Sequence, residues 1–268
     1  MLSLLVLSSC VSTGRPPLEA VADQQRGTEI VVGAFNFSES AILGQLYGRA
    51  LRAEGLPVKI LGPVAPREVL APALEQGVVD IVPEYQGTAL TYWSFGQIVV
   101  AMGPRATHRE LEEILALHDL VAAGYASVEN KNEVVVPRAT ADKYELRTIS
   151  DLETVAPALV FGGPRECPER PQCLPGLERI YDLAFAAFQP LDAGGPLTTS
   201  ALEGAEVDAA VMFTTDPNIA REELVILDDD RNLQPSENVV PVLRREVVER
   251  YGERVLTILD EVTASLKT

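Results

Sequence analysis

The sequence is poor in the side chains that most often carry catalysis or bind metal ions. Its 268 residues include only two histidines, His108 and His118, and three cysteines. The histidines lie among helix-forming and acidic residues, far from any cysteine, so we predict surface histidines and no metal site. The sequence also lacks a nucleophile elbow, a phosphate-binding loop and the usual spacings of metal ligands. These absences argue against an enzyme and against a bound cofactor, although a fold by itself does not exclude catalysis.

Positive charge is scarce as well. The chain has 22 Lys and Arg residues against 39 Asp and Glu residues, which gives a formal net charge of −17. A surface this acidic repels phosphate backbones, so we do not expect nucleic acid as a partner. Apolar residues make up 47% of the sequence. The chain can therefore bury a substantial core, and its length suits two lobes of roughly 100–130 residues each.

Long hydrophobic runs are missing, and the amino terminus carries only a short one. The first nine residues are apolar or small, and the string Leu-Ser-Ser-Cys that ends at Cys10 resembles a bacterial lipobox. The stretch is too short to span a bilayer. It lacks the usual basic n-region, so we expect the natural leader to begin further upstream. We predict a partial lipoprotein signal peptide at 1–10, lipidation at Cys10 and a polar tether at 11–26, with a buried strand as the alternative.

The other two cysteines lie close together in a proline-rich segment. They are Cys167 and Cys173, separated by Pro-Glu-Arg-Pro-Gln. An even pair in an exported chain indicates a disulfide that closes a loop. Two reduced thiols are the alternative.

Hydrophobic periodicity predicts alternating strands and helices in the first half of the chain. Strands are predicted at 30–34, 57–61 and 78–82, with one helix ending at Gly55 and a second ending at Gly77. Asn36 and Glu39 have the spacing of a capping box for the first helix. The order βαβαβ implies a parallel sheet with right-handed crossovers.

The same alternation continues in the second half. Strands are predicted at 133–136, 158–161, 207–213 and 239–243, and helices at 107–120, 177–185, 199–204 and 245–266, with a helix entry at 148–152. Two α/β halves in one chain leave a cleft between them. Ligands of such folds bind at the carboxyl ends of strands and the amino ends of helices.

Three strings, in this order, carry a resemblance to a known family. They are Gly-Ala-Phe-Asn-Phe-Ser-Glu-Ser from Gly33, Pro-Glu-Tyr-Gln-Gly-Thr from Pro83 and Phe-Thr-Thr-Asp-Pro from Phe213; Leu-Asp-Asp-Asp from Leu227 and Asn-Val-Val-Pro from Asn238 follow them. Together they resemble the glycine betaine/choline/carnitine-binding proteins of osmoprotectant ABC importers, from about residue 28 to the end. The resemblance implies a type II periplasmic-binding fold: two α/β lobes, a hinge of two crossing strands and a central ligand cleft.

That resemblance also implies the domain limits and the biological role. Lobe one is expected at 27–130 plus 235–268 and lobe two at 131–234, with crossings near 130–133 and 236–240. The protein is expected to be a monomeric, lipid-anchored, extracytoplasmic substrate-binding protein that passes a small solute to an ABC permease and its ATPase. A ligand-sensing module and an enzyme are the alternatives from other classes.

The ligands of that family carry a quaternary ammonium group, which cannot donate a hydrogen bond and is held by aromatic faces. The resemblance implies that Tyr85 is one cage tyrosine, that Thr88 is a ligand-binding threonine and that Phe213 replaces a further tyrosine. Arg170 lies where some members bind the ligand carboxylate, and Ser38 belongs to the first string. Tyr85 and Phe213 could instead be core aromatics, Thr88 a helix cap, and Arg170 the partner of an acidic neighbour in its own loop.

Two further cage tyrosines of the family fall on residues that are not aromatic here, Asn132 and Thr199. Each lost aromatic face removes about 0.5–2 kcal/mol of cation binding. A ligand without a quaternary ammonium group, such as a polyol, an amino-acid-like compound or a phenolic compound, is therefore the alternative. Phe35, Tyr92 and Trp93 are additional candidates for walls of the pocket.

Overall fold

The computed structural model describes residues 28–98, 102–221 and 223–267. The predicted signal peptide at 1–10 with its lipidation site Cys10, and the predicted tether at 11–26, lie outside these ranges. The described residues form two five-stranded sheets, each flanked by helices. We call these two units lobe one and lobe two.

Lobe one is built from the first and last parts of the chain. Its elements are β1 (Ile30–Phe35), α1 (Ser38–Ala53), β2 (Val58–Ala65), α2 (Arg67–Glu75), β3 (Ile81–Tyr85), α3 (Gln86–Trp93), α4 (Pro104–Ala116), β4 (Leu120–Ala122), β10 (Val239–Arg244), α9 (Arg245–Tyr251) and α10 (Arg254–Ser265). The strand order is β2-β1-β3-β10-β4. The first three strands are parallel, as the βαβαβ pattern predicts, and β10 is antiparallel to both of its neighbours.

Lobe two contains the middle of the chain. Its elements are β5 (Asn132–Pro137), α5 (Arg138–Tyr144), β6 (Val160–Pro164), α6 (Leu174–Tyr181), β7 (Ala187–Leu191), α7 (Pro196–Glu203), β8 (Ala209–Phe213), α8 (Asn218–Arg221) and β9 (Leu224–Leu227), with short 3₁₀ turns at Ile149–Leu152, Ala156–Ala158 and Cys167–Glu169. The strand order is β7-β6-β8-β5-β9. β5 is antiparallel to both of its neighbours, as β10 is in lobe one.

Each lobe has its own apolar core. In lobe one, α1 buries Leu43, Tyr47 and Leu51 against its sheet at helical spacing, and the Tyr47 hydroxyl is 2.9 Å from the Thr263 hydroxyl of α10. In lobe two, Phe161 of β6 stacks on a neighbouring phenylalanine ring at 4.5 Å between centroids. Separate cores allow each lobe to behave as a unit while the cleft between them changes width.

The chain passes between the lobes twice, and the two crossing segments contact each other. The backbone N–H of Asn130 donates to the carbonyl oxygen of Glu237 at 3.0 Å, and Glu129 forms an antiparallel bridge with Asn238. The Asn238 side chain also accepts a hydrogen bond from Gln86 at 2.9 Å. These contacts lie at the base of the cleft, close to where the sequence predicts the two crossings.

Several local predictions need correction. The capping box of Asn36 and Glu39 is wrong, since α1 begins after Phe37 and the Glu39 carboxylate is used in the cleft. The single closing helix is wrong too, because Gly252 adopts a φ of +76° and separates α9 from α10. The helix entry at 148–152 forms only one 3₁₀ turn.

The longest helix that the structure describes, α1, has 16 residues. Among the residues that the structure describes, none of the helices combines the length and the apolar character that a bilayer span requires.

Candidate functional site

A cavity of about 360 Å³ lies between the two lobes. On the lobe-one side, Phe35 ends β1 and Tyr85 ends β3, so the cavity lies at the carboxyl ends of two parallel strands. The amino ends of α2 and α3 face the same space through Arg67 and Thr88. This is where α/β sheets usually bind ligands.

Four aromatic rings form a continuous surface in this cavity, which we call the aromatic wall. Phe37 lies at its centre, with ring centroids 6.0 Å from Phe35, 5.9 Å from Tyr85 and 4.8 Å from Phe213. Lobe one supplies three of the rings, and Phe213 at the end of β8 comes from lobe two. Because the face of an aromatic ring is electronegative, such a surface attracts a cation and also packs against apolar groups.

Phe37 is the wall residue that sequence reasoning missed. It lies inside the first family-like string, between Asn36 and Ser38, and three residues after the buried strand predicted at 30–34. Its position two residues beyond Phe35 at the carboxyl end of β1 was the available signal.

Hydrogen bonds fix the position of Tyr85. Its ring is only 5% exposed, and its hydroxyl donates to the Glu39 carboxylate at 2.7 Å. The side-chain amide of Asn130 donates to the same Glu39 oxygen at 2.9 Å. Burial and the adjacent Glu39 carboxylate raise the pKa of Tyr85 well above its ordinary value, so the phenol stays neutral.

Beside the aromatic wall lies a buried ion pair between Arg67 and Glu84. The guanidinium donates from Nε to both carboxylate oxygens at 3.1 Å and from Nη2 to Oε2 at 2.7 Å. Nη2 also donates to the Thr88 hydroxyl at 2.8 Å, and the guanidinium lies 5.2 Å from the centroid of the Phe35 ring. Arg67 thus holds Thr88 and one wall ring in place.

A second buried carboxylate, Glu237, approaches Thr88 from the crossing segment. The Thr88 backbone N–H donates to it at 3.0 and 3.2 Å, and the Thr88 hydroxyl lies 3.4 Å away. Burial raises the pKa of Glu237 to about 8, even though Arg67 and the Thr88 hydrogen bonds act in the opposite direction. The sequence analysis did not select Glu237, because it lies in a loop without a recognisable motif.

Lobe two contributes a loop closed by the predicted disulfide. Cys167 and Cys173 are bonded, with Cα atoms 5.2 Å apart, and both are buried against the lobe-two core. Arg170 and Gln172 project from this loop into the cavity. The disulfide therefore constrains the segment that faces lobe one.

Polar contacts between described residues of the two lobes cross the cleft. Arg170 donates to the Glu68 carboxylate from Nε at 3.0 Å and from Nη2 at 2.9 Å. Gln172 donates to the Thr91 hydroxyl at 2.6 Å, and the Thr215 hydroxyl donates to Glu39 at 2.6 Å.

The Arg170 partner thus comes from lobe one and not from the acidic neighbours in its own loop. Burial pushes the pKa of Glu68 up, but the Arg170 guanidinium more than offsets this, so that the pKa of Glu68 lies below its ordinary value. The guanidinium fork that the resemblance assigns to a ligand carboxylate is therefore engaged by a carboxylate of the protein. Its role in ligand binding remains a prediction.

The cavity brings together most, but not all, of the site residues predicted from the sequence. Its lining includes Tyr85, Thr88, Asn132, Arg170 and Phe213, together with the candidate walls Phe35 and Tyr92. Three other candidates lie outside the lining residues. Ser38 is exposed at the start of α1, the Thr199 hydroxyl donates to the Gly195 carbonyl within α7, and the Trp93 indole donates to Glu75. The ligand-binding roles of Ser38 and Thr199 remain predictions.

Two α/β lobes, two crossing segments and a cleft lined from both sides define a bilobal solute-binding protein. The chain belongs to the family of substrate-binding domains of ABC-type glycine betaine transport systems, OpuAC, which it matches over residues 28–268. Members of this family are extracytoplasmic solute-binding proteins of ABC transporters and not enzymes. The role inferred from the three sequence strings is confirmed at this level.

Curated relatives have the same residue as this chain at about a quarter of the aligned positions. The ergothioneine transport permease/ergothioneine binding protein EgtU of Helicobacter pylori strain G27 is 27% identical over 88% of this chain. The chain spans only 42% of that protein's length. The glycine-betaine-binding protein of Pseudomonas aeruginosa PAO1 is 27% identical over 88% of this chain and 77% of its own length.

A solved structure shows the same fold. The crystal structure of a glycine betaine/carnitine/choline ABC transporter protein superimposes with a TM-score of 0.66, covering 88% of this chain and 86% of that one at 22% identity. The predicted type II periplasmic-binding fold is thereby confirmed.

Proposed function

We propose that the cleft binds a small solute with a trimethylammonium group and that the protein delivers this solute to an ABC permease and its ATPase. The observation that carries the proposal is the aromatic wall of Phe35, Phe37, Tyr85 and Phe213. A trimethylammonium group has no N–H to donate, so ring faces are the protein groups best suited to it. Closure of lobe one (27–130 and 235–268) on lobe two (131–234) would complete the enclosure.

The names of the relatives support this chemical class. Glycine betaine and ergothioneine, which those relatives are named for, share a trimethylammonium group on an otherwise different skeleton. The ring faces of the aromatic wall can bind such a group whatever the rest of the ligand contains. Asn132 stands where the family resemblance leads us to expect another ring, so the part of the ligand near it is expected to be polar.

A second candidate is the same transport role with a polyol, amino-acid-like or phenolic ligand. It is favoured by the amide side chains that line the cavity beside the rings, Asn130, Asn132 and Gln172. Amides donate and accept hydrogen bonds, which hydroxyl-rich ligands use and a trimethylammonium group does not.

A thermal-shift screen separates these candidates. Choline, glycine betaine, carnitine and ergothioneine would be compared with polyols, amino acids and plant phenolics on the purified protein. Binding to the folded state alone raises the melting temperature with ligand concentration. We expect the trimethylammonium compounds to shift it and the others to leave it unchanged; the opposite pattern would favour the second candidate.

We also propose that Cys10 is lipidated and holds the protein as a monomer on the outer face of the cell membrane. The support is the lipobox-like string that ends at Cys10 and the polar segment that follows it. Mass analysis of the membrane-extracted protein should find a diacylglyceryl modification at Cys10. A Cys10→Ser variant recovered in the same membrane fraction as the parent would contradict the anchor.

A further inference from the structure

The buried cluster beside the aromatic wall has two carboxylates, Glu84 and Glu237, and one guanidinium, that of Arg67. Arg67 directs its Nε and Nη2 donors to Glu84 and Thr88, at 2.7–3.1 Å. Glu84 also accepts the backbone N–H of Tyr85. Arg67 and Glu84 therefore neutralise each other, which leaves the second carboxylate to be balanced in another way.

That second carboxylate belongs to Glu237. In the part of the chain that the structure describes, its hydrogen bonds come from the backbone N–H and the hydroxyl of Thr88, and both donors are uncharged. Glu237 is only 1% exposed, so water does little to solvate a charge there. Its side chain lines the ligand cavity.

The second guanidinium at the cavity is also engaged. Arg170 of lobe two forms its two-point contact with Glu68, and the lining carries two more carboxylates on the same loop, Glu166 and Glu169. Neither Arg67 nor Arg170 is therefore available to balance Glu237 without giving up a carboxylate that it already holds. Arg67 and Arg170 are the cationic side chains among the described residues that line the cavity, so a proton or the positive charge of a ligand is left to balance Glu237.

We propose that Glu237 sets the preference of the cleft towards solutes with a net positive charge over zwitterions that carry their own carboxylate. This inference rests on the proposed trimethylammonium chemistry of the site. A cation such as choline supplies the missing positive charge beside Glu237. Glycine betaine brings the same trimethylammonium group together with a carboxylate, and the repulsion between that carboxylate and ionised Glu237 offsets the attraction of the cation.

The proposal implies that cation binding is linked to release of a proton. With a pKa of about 8, Glu237 is largely protonated in the empty cleft at neutral pH. The charged groups that face it are Arg67 of α2 and Glu84 of β3, and neither is free to change partner. A bound cation favours the ionised form, so choline affinity should rise by up to about tenfold per pH unit below about pH 8 and level off above it.

Calorimetric titration of the parent protein and a Glu237→Gln variant with choline and with glycine betaine tests this. Glutamine keeps the side-chain volume and can still accept the Thr88 N–H, but it cannot ionise. At a pH above the pKa of Glu237, choline affinity should fall at least tenfold in the variant, while glycine betaine affinity changes less than threefold. Choline binding should also lose its pH dependence, and its proton release in buffers of different ionisation enthalpy should vanish.

A Glu169→Gln variant is the matched control, because Glu169 also lines the cavity but is exposed and screened by water. It should change the ratio of choline to glycine betaine affinity by less than twofold. Equal losses for the two ligands in Glu237→Gln, or an equal effect of Glu169→Gln, would overturn the role of Glu237 and leave the proposed function intact. If the parent protein binds neither ligand, the proposed function fails and this inference fails with it.

Discussion

The two lobes build their sides of the cleft in different ways. Lobe one presents a buried network in which Glu84 and Glu237 are each 1% exposed and Tyr85 is 5% exposed. Lobe two presents the end of a strand, Phe213, and a disulfide-closed loop whose Arg170 and Gln172 side chains reach across the gap. Lobe one is thus arranged before a ligand arrives, whereas much of the lobe-two surface makes its contacts only when the lobes meet.

Two arginine–glutamate pairs of the same geometry show what this difference means. Arg67–Glu84 lies within lobe one, with side chains 10% and 1% exposed, and Arg170–Glu68 spans the cleft, with side chains 29% and 39% exposed. A buried pair is costly to break because its partner is left as an isolated charge, while a hydrated pair contributes little. We infer that lobe one fixes the ligand chemistry and that lobe two governs closure.

The largest expected effect is the loss of stability when the guanidinium group of the buried pair is removed, compared with removal of the guanidinium group of the pair that spans the cleft. Arg67→Met leaves the Glu84 carboxylate buried without its cation. The free energy of unfolding, measured with urea near neutral pH, should fall by about 3–5 kcal/mol. Arg170→Met is the matched control and should cost about 0–1 kcal/mol.

Similar losses for the two variants at neutral pH would show that the lobes do not differ in the way described.

The disulfide of lobe two should have the next largest effect. Replacing both Cys167 and Cys173 by serine removes a short closed loop, and the free energy of unfolding should fall by about 2–3 kcal/mol on the chain-entropy argument. Reduction of the parent protein should produce the same loss, and reduction of the double variant should produce none. Two free thiols in the unfolded, unreduced protein would remove the basis of this expectation.

The smallest effects concern the rings that the lobes contribute to the aromatic wall. Tyr85→Leu and Phe213→Leu each remove one face, at about 0.5–2 kcal/mol of cation binding. Tyr85 should be at the upper end because its ring is buried, and the half-buried Phe213 at the lower end. Phe188→Leu, on β7 outside the residues that line the cavity, is the control. The dissociation constant of choline is to be measured for all three variants.

A larger loss for Phe213→Leu than for Tyr85→Leu, with both variants folded, would reverse the assignment of roles to the two lobes.

The fold could be predicted from local patterns because each lobe is assembled from strands and helices with clear periodicity. The order of the family-like strings along the chain then indicated that the two α/β halves form one bilobal fold. The sequence did not show where tertiary contacts override a local pattern. Glu39 has the spacing of a helix cap, yet its carboxylate binds Tyr85, Asn130 and Thr215 because those groups meet it in the cleft.

The prediction of the site was most direct where residues lie inside recognisable strings, whereas Asn132 and Arg170 lie outside them and followed from the family resemblance alone. Tyr85, Thr88 and Phe213 were found inside such strings, and all three line the cavity. Arg67 and Glu237 were not, because their roles depend on a cluster formed by segments that are far apart in the chain. A charged residue in a sequence gives no sign that it will be buried beside another.

The central claim is that the cleft between the lobes binds a cationic trimethylammonium group through its aromatic wall. Calorimetric titration of the parent protein with choline and with its uncharged carbon isostere, dimethylbutanol, tests this directly, because the two ligands have nearly the same shape and differ in charge. The claim predicts that choline binds at least tenfold more tightly, since more than one ring face is involved. Equal affinities, or tighter binding of the uncharged isostere, would contradict it.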